Sequence, residues 1–385
     1  MEIAHLQHPY NYYQESLLFG RYINADHLQP LLKKHSGNFE IAVIGKSVLL
    51  EDIHFIKIGT GTIKVLMWSQ MHGNESTTTK ALFDLLNVFS DHETLSVQDL
   101  LSKVTLGIIP MLNPDGSRGY TRVNANQVDL NRDAQMLTQP ESKVLRTCFD
   151  SFKPHYCFNL HGQRTIFSAG ATDKSATVSF LSPAQDADCT VTITRKKAMD
   201  VIVKMDQVLQ EYIPGQVGTY DDAFNLNCVG DTFQTLNVPT ILFEAGHYLQ
   251  DYDREVVRGF IFLSIWTALV EIAFEDVAGV REEEYFAIPK NDKLFYDIII
   301  RNAKLKIGDV HQIIDIAVQY VERLEQNEVI FIPKIEKIAD LRNFYGHKEI
   351  QANGHLVISE SQEALKEGFE IDFVFINDIK YLLNV

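Results

Sequence analysis

The sequence is short of what several function classes require. Its four cysteines, Cys148, Cys157, Cys189 and Cys228, have neither C-x-x-C spacing nor the density of a disulfide framework, so they read as reduced thiols in or near the core. Long basic runs are missing too. Arg195-Lys196-Lys197 is typical of the short ones present, and with a net charge of -16 the chain has no clustered cations to meet a phosphate backbone, which excludes nucleic acid as a partner. The longest apolar run, Phe260 to Val270, is short and closely flanked by Arg258 and Glu271, so it reads as a core helix and no membrane span is expected. Met1 to Leu18 is polar throughout and holds no apolar signal region, from which a cytoplasmic location is expected. Internal repeats, low-complexity tracts and Gly/Ser linkers are also absent. What is there is an ordinary globular composition, 45% hydrophobic and 22% charged over 385 residues, enough for a large core.

Short β-branched runs alternate with helical patterns through the first part of the chain. Apolar residues alternate from Phe39 to Ile44 and from Ile53 to Ile58, and Ile63 to Met67 reads as a buried strand. Ala25 to His35 and Thr77 to Phe89 have helical spacing. Further strands are expected at Val104 to Pro110, Tyr156 to Leu160 and Thr240 to Phe243, with helices at Glu141 to Phe152 and Ala198 to Tyr212. Such alternation implies an α/β fold around a largely parallel sheet, in which ligands bind beyond the carboxyl ends of the strands. His72, Asn113, His161 and Glu244 each follow a predicted strand, so four elements are expected to bring polar groups to one edge. After about residue 277 the pattern changes to short strand-like pieces with one helical stretch around Asp309 to Glu325. We therefore expect a first domain over residues 1–277 and a small accessory domain, α+β or β-rich, over residues 278–385.

The chemistry centres on Trp68-Ser69-Gln70-Met71-His72-Gly73-Asn74-Glu75-Ser76. A His and a Glu three residues apart at the start of a helix point to one side and offer a neutral nitrogen and an anionic oxygen to a single metal ion. His161 supplies a third ligand. Two imidazoles and a carboxylate, with a fourth position left to water, are the usual arrangement of a hydrolytic zinc.

His72-Gly73-Asn74-Glu75, Asn113-Pro114-Asp115-Gly116, Val128-Asp129-Leu130-Asn131-Arg132, His161-Gly162 and Phe243-Glu244 resemble, in that order, the motifs of the zinc metallocarboxypeptidases of the carboxypeptidase A/B type. The resemblance covers roughly residues 40–275. It implies a twisted mixed sheet flanked by helices, one catalytic zinc per chain, and hydrolysis of the last peptide bond of a peptide with a free C-terminal carboxylate. On the same resemblance His72, Glu75 and His161 take the places of the zinc ligands, Glu244 that of the general base, and Asp129 that of the carboxylate that orients a ligand histidine. Asn131 and Arg132 take those of the clamp on the substrate carboxylate. Arg122 is the candidate for the cation at the developing oxyanion, with Arg118 as its competitor. Tyr220 lies near the place of the family's mobile tyrosine, and Asp231 is either at the floor of the side-chain pocket or a structural carboxylate bonded to backbone amides.

Two other readings are left open. The His-Gly-Asn-Glu and Asp-x-Asn-Arg runs also resemble deacylases of the aspartoacylase and succinylglutamate desuccinylase type, which cleave N-acyl amino acids, and a related enzyme would trim cell-wall peptides. The other reading is a binding protein that keeps the fold without catalysis, against which stands a candidate for every ligand and for the base.

Overall fold

The computed structural model describes residues 6–91, 94–307, 310–359 and 365–385. Met1 to His5 of the polar N-terminal segment lie outside these residues, as does Asp309. The chain divides into two compact units, one formed by residues up to Gln163 together with Ala176–Asn291, the other by Arg164–Ser175 and Asp292–Val385.

The first unit is built on an eight-stranded sheet whose strands are β1 (Glu40–Lys46), β2 (Asp52–Ile58), β3 (Ile63–Trp68), β4 (Val104–Ile109), β5 (Tyr156–Gly162), β6 (Val178–Leu181), β7 (Val217–Thr219) and β8 (Thr240–Ala245). Their spatial order is β1-β2-β4-β3-β5-β8-β6-β7. The four central strands β4, β3, β5 and β8 run parallel, while β1, β2 and β6 introduce antiparallel pairings. The sheet is therefore mixed and largely parallel, as expected. Because side chains alternate across a strand, one sequence run feeds two cores. Val65, Met67, Phe158, Leu160, Ile241 and Phe243 join the cluster on one face. Leu66, Trp68 and Cys157 join the cluster on the other.

Helices cover both faces: α1 (Ala25–His35), α2 (Thr77–Phe89), α3 (Pro114–Gly119), α4 (Pro140–Phe152), α5 (Ile193–Leu209), α6 (Val229–Thr235) and α7 (Glu255–Phe274). Phe149 of α4 stacks on Phe233 of α6 at 3.9 Å, which closes the smaller core under Trp68. Helix α7 runs to 20 residues, longer than the apolar run suggests and long and apolar enough to cross a bilayer by length and composition. In the structure it is a core helix. Ile261, Phe262, Ile265, Trp266 and Leu269 are buried against the first core, and buried Arg258 forms a two-pronged pair with Asp84 of α2 at 2.8 and 2.6 Å. Buried Arg195, from the short basic run, is likewise paired, with Asp222 at 2.7 Å. All four cysteines are free thiols.

The second unit contains β9 (Phe295–Ile307), β10 (Val310–Glu325), β11 (Glu328–Ala339) and β12 (Tyr345–Gln351), ordered β11-β10-β9-β12, and a smaller sheet of β13 (Val357–Ile358), β14 (Phe373–Ile376) and β15 (Ile379–Leu382). The helix expected up to Glu325 is the strand β10. Ile316 and Val318 enter the unit's main core while Ala317 between them enters a second cluster, a period of two that favours a strand. Pairing with β9 on one side and β11 on the other overrides the apparent helical spacing.

The boundary between the units also differs from the expected break at 277. The Asp200 carboxylate accepts the backbone N–H groups of Gly279, Val280 and Arg281 at 2.6, 3.1 and 2.7 Å, which holds this stretch to the first unit. The Tyr285 hydroxyl accepts the N–H of Ser182 at 3.1 Å and carries the attachment further. Nothing in the composition of Arg164–Ser175 marks it as part of the other unit.

Candidate active site

The turn after β3 is tied down before it reaches the first candidate ligand. Buried Gln70 has a left-handed φ of 44°, and its amide donates to the carbonyls of Ile23 at 3.0 Å and Gly73 at 2.8 Å. Strain of this kind costs about 1–3 kcal/mol and is kept where the surroundings enforce it. His72 and Glu75 follow in one tight turn, with the Glu75 N–H donating to the His72 carbonyl at 3.1 Å, just ahead of helix α2. Gly73 and Gly116 explain two of the sequence motifs together. A Cβ on Gly73 would lie 1.9 Å from the Gly116 carbonyl carbon, so only glycine lets the ligand turn press on α3. Asn113 is a buried cap for that helix, accepting the Gly116 N–H at 2.9 Å and donating to the Met71 carbonyl at 3.2 Å. It braces the turn from behind and is not one of the groups that meet in the site.

His72, Glu75 and His161 do meet. Their ligating atoms all lie within 4.8 Å of one another. His72 Nδ1 is 2.9 Å from Glu75 Oε1, His161 Nδ1 is 3.0 Å from Glu75 Oε2, and the two Nδ1 atoms are 3.1 Å apart. On its other side His72 Nε2 lies 3.0 Å from Asp129 Oδ1. A carboxylate there accepts a hydrogen bond from Nε2–H and leaves the Nδ1 lone pair facing Glu75 and His161. Asp129 is itself fixed by the Asn131 N–H at 2.9 Å and by Arg122 Nε at 3.1 Å. The Gly162 N–H holds Glu75 Oε2 at 3.0 Å.

The charges follow from these contacts. Burial works against ionising Glu75, but the two histidines outweigh it and hold the carboxyl well below the usual range. For His72 burial opposes protonation, and the Glu75 and Asp129 carboxylates reverse the balance and raise its pKa. Burial dominates at His161 and lowers it. Two imidazole nitrogens and an anionic oxygen crowded this closely are the donor set of a hydrolytic zinc, so the residues present fit that ion.

Glu244 on β8 stands in register with His161 on β5, so both side chains leave the same face of the sheet. Its Oε2 is buried with no hydrogen-bond partner among the described residues. Burial, then the neighbouring Glu75 charge, push its carboxyl well above the usual range, against the opposing pull of Arg122 and Arg254. Tyr220 follows β7 and is raised by burial and then by the Glu244 and Glu75 carboxylates, which places its hydroxyl in their field. The half-exposed Arg122 reaches Glu75 Oε1 at 3.3 Å. Arg118 is elsewhere, held by Asp26 at 2.8 and 3.0 Å and by Glu51 at 3.0 Å. Of the two candidate cations, only Arg122 is brought to the ligands.

Asn131 is oriented by its oxygen, which accepts the Val229 N–H at 3.0 Å and so commits the amide nitrogen to donation. Arg132 is exposed and contacts the Asn131 carbonyl at 2.6 Å and the Cys228 sulfur at 3.2 Å, with no carboxylate partner among the described residues. Asp231 is buried in the first turn of α6, accepts the Asn225 N–H at 3.3 Å, and is pushed up to about 6 by burial. The backbone contact is that of the structural alternative. Sequence reading passed over buried Arg254, which donates to the carbonyls of Ala245 and Gln163 at 2.8 and 3.0 Å, just past Glu244 and His161. An arginine nine residues beyond a strand carries no sequence signal of such a contact.

Fold and donor set together make an α/β domain with a His-Glu-His group at the edge of a mixed, largely parallel sheet. Residues 25–183 match the model of the zinc carboxypeptidase family. Carboxypeptidase 2 of Trichophyton rubrum is 29% identical over 100 residues, 26% of this chain and 18% of that protein. The gamma-D-glutamyl-L-diamino acid endopeptidase 1 of Lysinibacillus sphaericus is 36% identical over 80 residues, 19% of this chain and 20% of its own length. The chain thus spans about a fifth of the length of the curated relatives it matches. A metallo-carboxypeptidase structure from Burkholderia cenocepacia superposes with a TM-score of 0.52 at 18% identity, covering 65% of this chain and 70% of the other, which shows the shared fold.

Proposed function

We propose that the protein is a zinc-dependent carboxypeptidase that hydrolyses the last peptide bond of a peptide with a free C-terminal carboxylate. The observation that carries this reading is the convergence of His72, Glu75 and His161 within 4.8 Å, with Glu244 in register beside His161. Zinc bound by those three side chains would lower the pKa of a bound water and polarise the scissile carbonyl.

The remaining chemistry belongs to the chain's own groups. Glu244 presents a carboxyl whose raised proton affinity suits it to take the proton of the attacking water and deliver it to the departing amine. Arg122 brings a permanent positive charge to the place where negative charge develops on the carbonyl oxygen. Asn131 and Arg132 offer an oriented amide donor and a guanidinium without a carboxylate partner among the described residues, which suits a terminal carboxylate. Tyr220, in the field of Glu244 and Glu75, is suited to cover the bound substrate.

A second reading concerns the substrate and is favoured by the endopeptidase relative named above, whose name describes cleavage beside a γ-D-glutamyl link. It keeps the mechanism and changes the peptide to a cell-wall fragment. Zinc content together with amino-acid release from short peptides, N-acyl amino acids and muropeptides, with and without chelator, tests both. One zinc per chain and chelator-sensitive loss of C-terminal residues support the first reading. Cleavage confined to muropeptides supports the second, and cleavage confined to N-acyl amino acids overturns both.

A further inference from the structure

Helix α7 begins from a turn with more fixings than a loop needs. Asp251 caps it by accepting the N–H groups of Glu255 at 2.8 Å and Val257 at 2.9 Å. Lys80 of α2 donates to the Asp253 carbonyl at 3.0 Å and pairs with Glu255, and Arg21 donates to the Tyr252 carbonyl at 3.3 Å. At the centre of this turn Arg254 sits in left-handed backbone, φ 59° and ψ 34°, although its side chain is large and buried. A side chain held at such a backbone angle costs free energy that the surrounding bonds must offset. What the conformation achieves is to point a guanidinium back under the sheet edge. There its two terminal nitrogens divide between two strands, Nη1 to the Ala245 carbonyl of β8 at 2.8 Å and Nη2 to the Gln163 carbonyl just beyond β5 at 3.0 Å.

These two carbonyls sit one residue past Glu244 and two past His161. The strands pair through His161 and Gly162 opposite Glu244 and Ala245, and just past the ladder the Gln163 N–H donates to the Ala245 carbonyl at 2.9 Å, so Ala245 O is shared by both donors. We propose that Arg254 is a positioning residue that clamps the ends of β5 and β8, fixing the distance between the Glu244 carboxylate and the His161 ligand. The proposal rests on the reading of Glu244 as general base and His161 as ligand. A planar fork suits the task, since it satisfies two carbonyls in fixed relative positions and stays charged. Its charge is also one of two, with Arg122, that favour ionised Glu244.

The test compares Arg254→Lys and Arg254→Met in the full zinc-loaded chain. Both keep a non-glycine residue at the strained backbone angle, so they differ from wild type in the side-chain bonds. Two quantities are read: hydrogen exchange at the Gly162, Gln163 and Gly246 amides against that of Phe158 to Leu160 in the strand interior, and kcat and KM on the best peptide of the panel. The clamp predicts exchange at the strand ends faster by about tenfold or more in the methionine variant, with the interior unchanged, and kcat lower by about 10- to 100-fold at nearly constant KM, as small misplacements of catalytic groups produce. Lysine, able to reach one carbonyl, recovers part of both. Wild-type exchange at the strand ends in the methionine variant overturns the proposal, as does faster exchange with unchanged kcat in an active enzyme. If the methionine variant does not fold, the lysine variant carries the same comparison. If wild type cleaves nothing in the panel, the proposed function falls, and the exchange measurement alone decides the clamp.

Discussion

At Glu244 a carboxyl oxygen is buried without a donor among the described residues, and burial together with the Glu75 charge favours its protonated form. The neighbouring carboxylates are each held by a backbone N–H, Glu75 by Gly162 and Asp129 by Asn131. The contrast fits a group that must exchange a proton. Glu244→Gln keeps size and shape but cannot take that proton, so kcat is expected to fall by about 10²- to 10⁴-fold. Zinc stoichiometry is expected to be unchanged, because Glu244 is outside the donor set. Metal analysis and peptide kinetics on one preparation check both parts, and loss of zinc in this variant would move Glu244 among the ligands. Asp129 predicts the opposite pattern. Asp129→Ala removes the acceptor that fixes the His72 tautomer and is expected to weaken zinc binding by about 10- to 100-fold. Competition with a chelator measures it.

Individual elements were legible in the sequence to the extent that their pattern was local. Helices α1, α2 and α4 and strands β2, β3 and β4 lie within a residue or two of where periodicity placed them. The spacing of His72 and Glu75 in the ligand turn was local, but the Asp129 contact and the choice of Arg122 over Arg118 were accessible only through motif order, because each depends on distant partners. Strand β10 shows the limit, since a Val- and Ile-rich run with helical spacing pairs on both sides and becomes a strand. The pair between α2 and α7 was invisible for the same reason, with Asp84 and Arg258 lying 174 positions apart. Asp84→Ala removes the two-pronged partner of a buried guanidinium and leaves it Glu255 at 2.9 Å, so it is expected to cost about 3 kcal/mol, while Asp84→Leu with Arg258→Met is expected to recover much of that loss. Urea unfolding of the single and double variants measures it. At the end of α1, buried His35 stacks on Phe39, and burial pushes its pKa down from 6.5 to about 4. The unfolded chain therefore binds the proton more readily than the folded one. Stability from this group is full above pH 6.5 and falls as pH drops toward 4. His35→Gln is expected to flatten that part of the stability profile, read as thermal midpoints across the same pH range.

At the scale of the whole molecule, composition announced two parts but not how the chain is shared between them. The second unit is not a simple C-terminal appendage, because Arg164–Ser175, which begins three residues after His161, belongs to it. Within that unit the Thr165 hydroxyl accepts from Gln319 at 2.8 Å, His347 meets the Thr165 carbonyl at 2.8 Å, and the Phe295 N–H donates to the Ile166 carbonyl at 3.1 Å. A fragment ending at Asn291 removes every one of those partners and leaves the segment its internal bonds, such as the Ala169 N–H to the Lys174 carbonyl at 2.9 Å. We expect such a fragment to be cut by trypsin at Arg164 well before Lys64 of β3, whereas the full chain resists at Arg164. Equal protection in the fragment and the full chain would mean that the first unit holds Arg164–Ser175 without help. If the segment does loosen, the ligand strand β5 loses its ordered continuation immediately past Gln163. Zinc binding by the fragment is then expected to weaken even though His72, Glu75 and His161 are all retained.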